Sequence, residues 1–395
     1  MLTAARLIDG TGSPPMQPAA LLIDGERIVA VAPHLPVPAG AERLDLPGAS
    51  ILPGLIDLHV HLSDAGLPDA TVQDGDPPVA RALRLAEHAR RTLGAGVTTI
   101  RDVGGRDHLE FDLRRASEEG LLRTPRLVLA GKIVSRPTPG ASSWQGMYRE
   151  ARGVRELVRA LQEQIEAGAD VIKLMATGAV LAPGSEHPGV PQLDPDELQA
   201  LVGAAHALGR RVAAHAHGIE GIRRCVAAGV DSIEHGTHLH EDPAVARTMA
   251  VRGIFLVPTL KALANIADPS GRGIPAEMVA KARERLADRD ATFRLALEIG
   301  VPIAMGTDAA TPFNRHGENA GELALMVGLG MSPLAAIVAS TSVAARALGR
   351  DEVGVLAPGK LADIAVWQGD PLRDISVLQA PPLAVFLGGL RVSPR

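Results

Sequence analysis

Gly54-Leu55-Ile56-Asp57-Leu58-His59-Val60-His61 is an apolar run that ends in two histidines one residue apart. Residues i and i+2 of a strand point to the same face, so this run delivers two imidazoles side by side at a strand end. Paired nitrogen donors of that kind suit zinc or a similar divalent ion. Further along, four more ligand types stand at the C-terminal ends of strand-like runs. Lys173 lies in Val171-Ile172-Lys173-Leu174-Met175 and His215 follows Arg211-Val212-Ala213-Ala214. His235 closes Asp231-Ser232-Ile233-Glu234, and Asp308 follows Met305-Gly306-Thr307.

The chain around these runs alternates apolar strand patterns with helical ones. Strands are expected at 54–60, 97–102, 126–130, 170–175, 211–215, 231–234, 253–257 and 302–306. Helices are expected in the gaps, at 80–93, 151–167, 195–209, 275–299 and 333–348. Asp194 before Pro195 and Ser332 before Pro333 are N-cap signals for two of them. Eight strands with intervening helices predict an α/β protein built on a (β/α)8 TIM-like barrel. The ligand set favours a barrel over an open sheet, because a barrel brings all strand ends to one mouth. Both chain ends read instead as short strands joined by Gly and Pro turns, too short to hold a core alone. They are expected to combine, 1–53 with 355–395, into a small composite β-sandwich domain beside a hydrolase barrel at 54–354.

Bulk composition narrows the function. With 395 residues and 46% apolar content the chain can bury a large core, and at 2% aromatic that core must be built from Ala, Val, Leu and Ile. A net charge of −5 gives no footprint for nucleic acid. The single cysteine, Cys225, sits in a helical pattern and reads as a buried apolar thiol in a reducing compartment. No secretory h-region follows the start, and no stretch approaches the roughly 18 to 20 apolar residues of a membrane span. A cytoplasmic protein without a membrane partner is expected; oligomeric state is left open. Gly218-Ile219-Glu220-Gly221 and Gly131-Lys132 lack the context of a nucleotide-binding loop.

Of the forty lysines and arginines only five are lysines, and one of these, Lys173, is inside an apolar run. Burying an unpaired ammonium costs several kcal/mol. A carbamate formed from the Lys173 amine and carbon dioxide removes that cost and supplies two oxygens, one for each of two metals. Arginine cannot do this, which explains the residue choice. Two close metals lower the pKa of a bridging water, and Asp308 is placed to bind one metal, accept the proton and pass it to the leaving group. His217, two residues after His215, either polarises the scissile carbonyl or supports the ligands. Zinc is the expected ion, with manganese, cobalt and iron open.

These motifs resemble the amidohydrolase superfamily, and within it the imidazolonepropionase-like and Xaa-Pro dipeptidase-like branch. Leu52 to His61 matches the first metal motif, and Lys173 in Ile-Lys-Leu-Met-Ala-Thr-Gly matches the carboxylated bridging lysine. His215 in Ala-His-Ala-His-Gly, His235 in Ser-Ile-Glu-His-Gly-Thr and Asp308 in Gly-Thr-Asp match the remaining ligands. Gly354-Val-Leu-Ala-Pro-Gly-Lys-Leu-Ala-Asp363 matches the tail, so the resemblance spans essentially the whole chain. It implies two divalent metal ions, N6-carboxylysine at Lys173, and hydrolysis of an amide bond in a small substrate such as a dipeptide or N-acyl amino acid. Two departures fall in substrate contacts. Thr138-Pro139-Gly140-Ala141 stands where many peptidase-like members carry Gly-Gly-His, and His217 where many carry tyrosine.

Trp144 and Tyr148, two of eight aromatic residues, fall after the third strand, where mouth loops set specificity. They and His316 are the expected substrate contacts. Arg136, His187 and Arg315 are further candidates for a substrate carboxylate. A cyclic amidase, a lactonase or esterase, and a phosphotriesterase-like enzyme use the same attack. A non-catalytic barrel would be expected to lack ligands, and none is missing.

Overall fold

The computed structural model describes residues 1–184, 186–268 and 273–392. The N-terminal part forms β1 (Leu2–Leu7), β2 (Ala19–Asp24), β3 (Arg27–Ala32) and β4 (Leu44–Pro53). The middle contributes β5 (Leu55–Val60), β6 (Val97–Asp102), β7 (Arg126–Leu129), β8 (Ile133–Ser135), β9 (Tyr148–Glu150), β10 (Val171–Met175), β11 (Arg211–Ala216), β12 (Ser232–His235) and β13 (Phe255–Val257). The chain closes with β14 (Ile364–Gln368), β15 (Ala384–Leu387) and β16 (Leu390–Val392).

The middle strands pair in parallel, in the orders β5-β6-β7 and β13-β12-β11-β10-β8-β9. Every residue of β5, β6 and β10 is buried. That is what strands covered on both faces require, and it is why they read as unbroken apolar runs. Helices separate the strands, and their apolar stripes pack on the same core as the strands. Helix Pro195–Ala207 starts on the expected cap: Asp194 and Glu197 form a capping box. Ser332 accepts from the Ala335 amide at the start of Pro333–Ala339.

Several expectations change in detail. The stretch expected as one helix at 275–299 is two, Ala276–Glu284 and Leu286–Ile299, broken at Arg285. The stretch at 333–348 breaks at Thr341, whose hydroxyl donates back to the Ile337 carbonyl and so competes with the helix ladder. The strand expected at 302–306 exists only as the isolated bridges Leu256↔Ile303 and Val60↔Ala309. Its ladder stops because the Asp57 carboxylate takes the Thr307 amide.

The two chain ends meet in one seven-stranded sheet, β16-β15-β14-β4-β1-β2-β3. They pair as expected, but as one continuous sheet and not as two separately hydrogen-bonded layers. Residues from both ends, Leu2, Leu21 and Ile51 with Ile364, Val366 and Phe386, share one apolar cluster. Trp367 of β14 anchors this sheet to the parallel strands. It is fully buried, donates from Nε1 to the Ala380 carbonyl, and lies on Gly96. A Cβ at Gly96 would come within 2.6 Å of the indole, and its φ of 87° favours glycine independently. Cys225 is buried as expected, and among the described residues no helix is long and apolar enough to cross a membrane.

Candidate metal centre

The end of β5 carries His59, and His61 follows directly. Lys173 is on β10, His215 on β11 with His217 just beyond it, and His235 ends β12. Strand register sets them side by side, with Met175 opposite His215 and Ala216 opposite His235. The Val60↔Ala309 bridge brings Asp308 against His59 and His61. Asp308 Oδ1 is 3.5 Å from His59 Nε2 and 3.4 Å from His61 Nε2. Ligand-type atoms of His59, His235 and Asp308 lie within 4.8 Å of one another, and so do those of His215, His217 and His235. The His217 ring stacks on His235 at 4.7 Å, so it belongs to this group instead of standing apart from it.

Each ring has one nitrogen already engaged. His59 Nδ1 meets Glu234 Oε2 at 2.8 Å, His61 Nδ1 meets the Gly104 carbonyl at 3.0 Å, and His215 Nε2 meets the Gly178 carbonyl at 2.9 Å. Carboxylates and carbonyls only accept, so those three nitrogens carry a proton, and in the neutral rings of His59 and His215 the other nitrogen keeps its lone pair. His217 and His235 lean on the hydroxyls of Thr237 and Thr259, both at 2.7 Å. Outer partners of this type hold metal-binding histidines in orientation.

Behind the histidines lies a buried polar network. Arg101 on β6 donates to Glu234 Oε1 at 2.8 Å and to the Leu58 carbonyl. Asp57 accepts from the amides of His59 and Thr307, the Thr307 hydroxyl and Asn319 Nδ2, tying β5 to the 302–309 segment. The sequence reading passed over Arg101, Glu234 and Asp57. Like Lys173, Arg101 is a charge inside a fully buried run, but the abundance of arginine in this chain hides that signal.

Two ligand-type residues have left-handed backbone, His235 with φ 68° and Asp308 with φ 57°, as does the neighbouring Thr259 with φ 47°. Non-glycine residues rarely adopt that region, and strain of this kind collects at functional sites. At His235 it also ends the strand alternation, so the adjacent Glu234 and His235 both serve the site.

Burial, with Lys173 nearby, lowers His59 to about 4 and His215 to about 3. Burial and the neighbouring rings take His217 and His235 well below the usual histidine range. These four rings are therefore neutral at pH 7, the form that binds metal. For His61 burial is outweighed by the Asp308 carboxylate, which raises it. Asp308 itself comes down to about 2 against the cost of burial, drawn by His59 and His61. Burial lowers Lys173 to about 8, and among the described residues no carboxylate stands within ion-pairing distance of its amine.

The cluster floors a cavity of about 120 Å³ that opens to solvent. Trp144 and Tyr148 line it, together with Lys173 and all the histidines named above. His316 does not: it stacks on His88 at 4.5 Å behind His61, whose carbonyl its Nε2 meets at 3.3 Å. The other charge candidates are elsewhere. Arg136 pairs with Asp194 and Glu197, His187 bonds Arg285, and Arg315 is exposed and outside the lining. Gly140 and Thr138 bond to Glu186, so the 138–141 segment is not part of the wall. The wall residues Thr259, Ala262, Leu263, Ile266, Pro275 and Met278 were not foreseen.

Comparison with known proteins matches the geometry. The amidohydrolase family model matches residues 50–392. Ochratoxinase from Aspergillus niger is 31% identical over 423 aligned positions, covering 98% of this chain and 85% of that protein. A solved Xaa-Pro dipeptidase with methionine bound in its active site is 33% identical, with a TM-score of 0.92 and coverage of 100% of this chain and 99% of that one. A prolidase solved with N-methylphosphonate-L-proline is 30% identical, with a TM-score of 0.91 and the same coverage.

Proposed function

The chain belongs to the amidohydrolase family, and on that premise we propose that it is a metal-dependent hydrolase of an amide bond in a small substrate. The observation that carries this reading is the convergence of pre-oriented histidine nitrogens and Asp308 in one buried cluster at the cavity floor. The donor set fits divalent metal: neutral imidazoles, an ionised carboxylate, and a second ring nitrogen held by a partner in each case. His59, His61 and Asp308 would hold one ion, and His215 and His235 a second, with His217 beside it. Lys173 would bridge them as N6-carboxylysine, formed when its amine nitrogen adds to carbon dioxide and releases a proton. Its burial without a counter-ion supports this assignment. Zinc suits the nitrogen-rich set. Bound there, the ions would polarise the substrate carbonyl and make water acidic enough to attack at neutral pH.

The chain's own groups carry the rest. Asp308, ionised and next to both His59 and His61, accepts the proton of the attacking water and returns it to the leaving nitrogen. His217 faces the same space and can donate to the carbonyl oxygen as charge develops on it. The fold we read into this is one eight-stranded barrel at 54–354. Backbone bonds from Asp170 to Leu129, from Leu256 to Pro302 and from Leu58 to Met305 support it by linking the two parallel sheets and the 302–309 segment. The composite sheet from 1–53 and 355–395 then forms the second domain.

Dipeptides and N-acyl amino acids are the expected amides, and the Xaa-Pro dipeptidase and ochratoxinase relatives make the first test panel. Metal-loaded protein should hydrolyse amides from that panel, and chelator-stripped protein should not until metal is restored. Turnover confined to lactones, esters or phosphotriesters would replace the amide reading, and turnover unaffected by complete metal removal would refute the metal one.

A further inference from the structure

We propose that Asn314 is a positioning residue of the reaction: its side-chain amide fixes the backbone on both sides of Asp308 and so holds that carboxylate against His59 and His61. The inference rests on the reading of Asp308 as metal ligand and proton acceptor, and it names the group that keeps Asp308 in place.

The turn that carries Asp308 is strained. Within six positions three residues other than glycine have left-handed backbone: Asp308 with φ 57°, Ala310 with φ 94° and Phe313 with φ 60°. An L side chain is disfavoured in that region, so each is kept there by the contacts around it. A change of backbone at Asp308 would move its carboxylate, which stands 3.5 Å from His59 Nε2 and 3.4 Å from His61 Nε2.

Asn314 supplies the hold. Its Nδ2 donates to the Thr307 carbonyl at 2.6 Å and to the Asp308 carbonyl at 2.9 Å. Those carbonyls belong to the two rigid peptide planes on either side of the Asp308 Cα. One amide group bound to both planes sets their relative rotation, and that rotation is the φ and ψ of Asp308. The primary amide has two hydrogens, one for each carbonyl. An aspartate of the same shape would set oxygen against oxygen.

The cost of burying this side chain points the same way. Asn314 is fully buried, and its Oδ1 has no hydrogen-bond partner. Leaving an acceptor unpaired in the interior costs free energy, so the donor side must repay it. Two backbone bonds seat Asn314 in the turn: Ala310 donates to its carbonyl at 2.8 Å, and its own amide donates to the Thr311 carbonyl at 2.9 Å. The Thr311 hydroxyl also donates to the Asp308 carbonyl, at 2.8 Å. It supports the second plane only. Among the described residues Asn314 alone donates to the Thr307 carbonyl.

The test compares the metal-loaded full chain with Asn314→Ala and with Asn314→Ser, a milder change that keeps one donor. In Asn314→Ala kcat should fall about tenfold or more with KM within about twofold, because proton transfer to Asp308 counts in the transition state. Cobalt-substituted protein gives a second readout that needs no turnover. Its visible absorption should change, and cobalt affinity should fall about tenfold or more. Asn314→Ser should lie between the two. A folded Asn314→Ala with unchanged kcat and cobalt spectrum would overturn the proposal, even with a lower melting temperature, since that is what a structural role alone gives. Failure of both variants to fold would overturn it as well. Cleavage of esters or lactones in place of amides by the unaltered chain would sink the amide reading and leave this proposal to stand on the cobalt spectrum. A chain that takes up no metal would sink both.

Discussion

Glu234 divides its carboxylate between Arg101 and His59, and that division fixes which His59 nitrogen is free. Burial alone would favour the protonated acid; the Arg101 guanidinium outweighs it and keeps Glu234 ionised. Glu234→Gln should therefore leave Arg101 buried without its carboxylate and weaken the hold on His59. Metal affinity should fall about 10- to 100-fold, the usual effect of losing an outer partner, as read by competition with a chelating dye. Unchanged affinity would show that His59 is oriented by packing alone. Asp308→Asn keeps the shape of the side chain but removes the proton acceptor. It should fold normally and lose roughly 10²-fold or more in rate, and near-normal turnover would remove Asp308 from that role. The convergence of His59, His61, His215, His235 and Asp308 was legible in the sequence because strand alternation and donor chemistry both act over a few residues. Glu234 and Arg101 were not, since they meet across 133 positions of chain and arginine is common here.

Among the elements, the 302–309 segment shows how a backbone can be shaped for its site. Gly306 lies so close to β5 and β13 that a Cβ would come within 2.3 Å of a Val257 methyl and 2.9 Å of His59 Cβ. Gly306→Ala should cost about 1–3 kcal/mol, as overpacking does, and should lower metal content by displacing His59. Thermal melts and metal analysis read the two effects separately, and a variant with normal stability would show that the strands can part at no cost. Helix Leu109–Glu118 buries a second liability in Glu110, whose two oxygens have no hydrogen-bond partner. Burial, with Asp102 nearby, pushes Glu110 up to about 8 from the usual 4.5. The folded state thus holds a proton that the unfolded chain gives up. Its contribution to stability is complete below about pH 4.5 and is lost as pH rises through about 8. Glu110→Gln should flatten that loss, with a relative gain on the order of a few kcal/mol at pH 8.5 over pH 5. Parallel pH profiles for the two proteins would assign the loss to other groups. Helix existence was readable from periodicity, but the breaks were not: Arg285 meets His187 far along the chain, and at Thr341 a single hydroxyl turns back to the Ile337 carbonyl.

At the scale of the whole molecule, the chain ends are tied to the parallel strands by a few buried contacts. Asp363 binds Arg126 through both oxygens, at 2.6 and 3.0 Å, and also accepts the Gly388 amide. Trp367 on Gly96 adds the apolar part of that joint. The alternation of strands and helices announced the α/β core, and the Gly- and Pro-punctuated ends announced their pairing. Which loops wall the cavity was hidden, because a loop's approach to a barrel mouth is set by packing and not by spacing. The proposed hydrolysis requires two metals held by one lysine-bridged centre. Metal content per chain, measured on protein purified without added metal beside Lys173→Ala, tests it most directly. Two equivalents in the native chain and one or none in the variant, with excess bicarbonate restoring nothing, is the predicted result; a variant that keeps both metals, or a native chain that takes up none even after reconstitution, would contradict it.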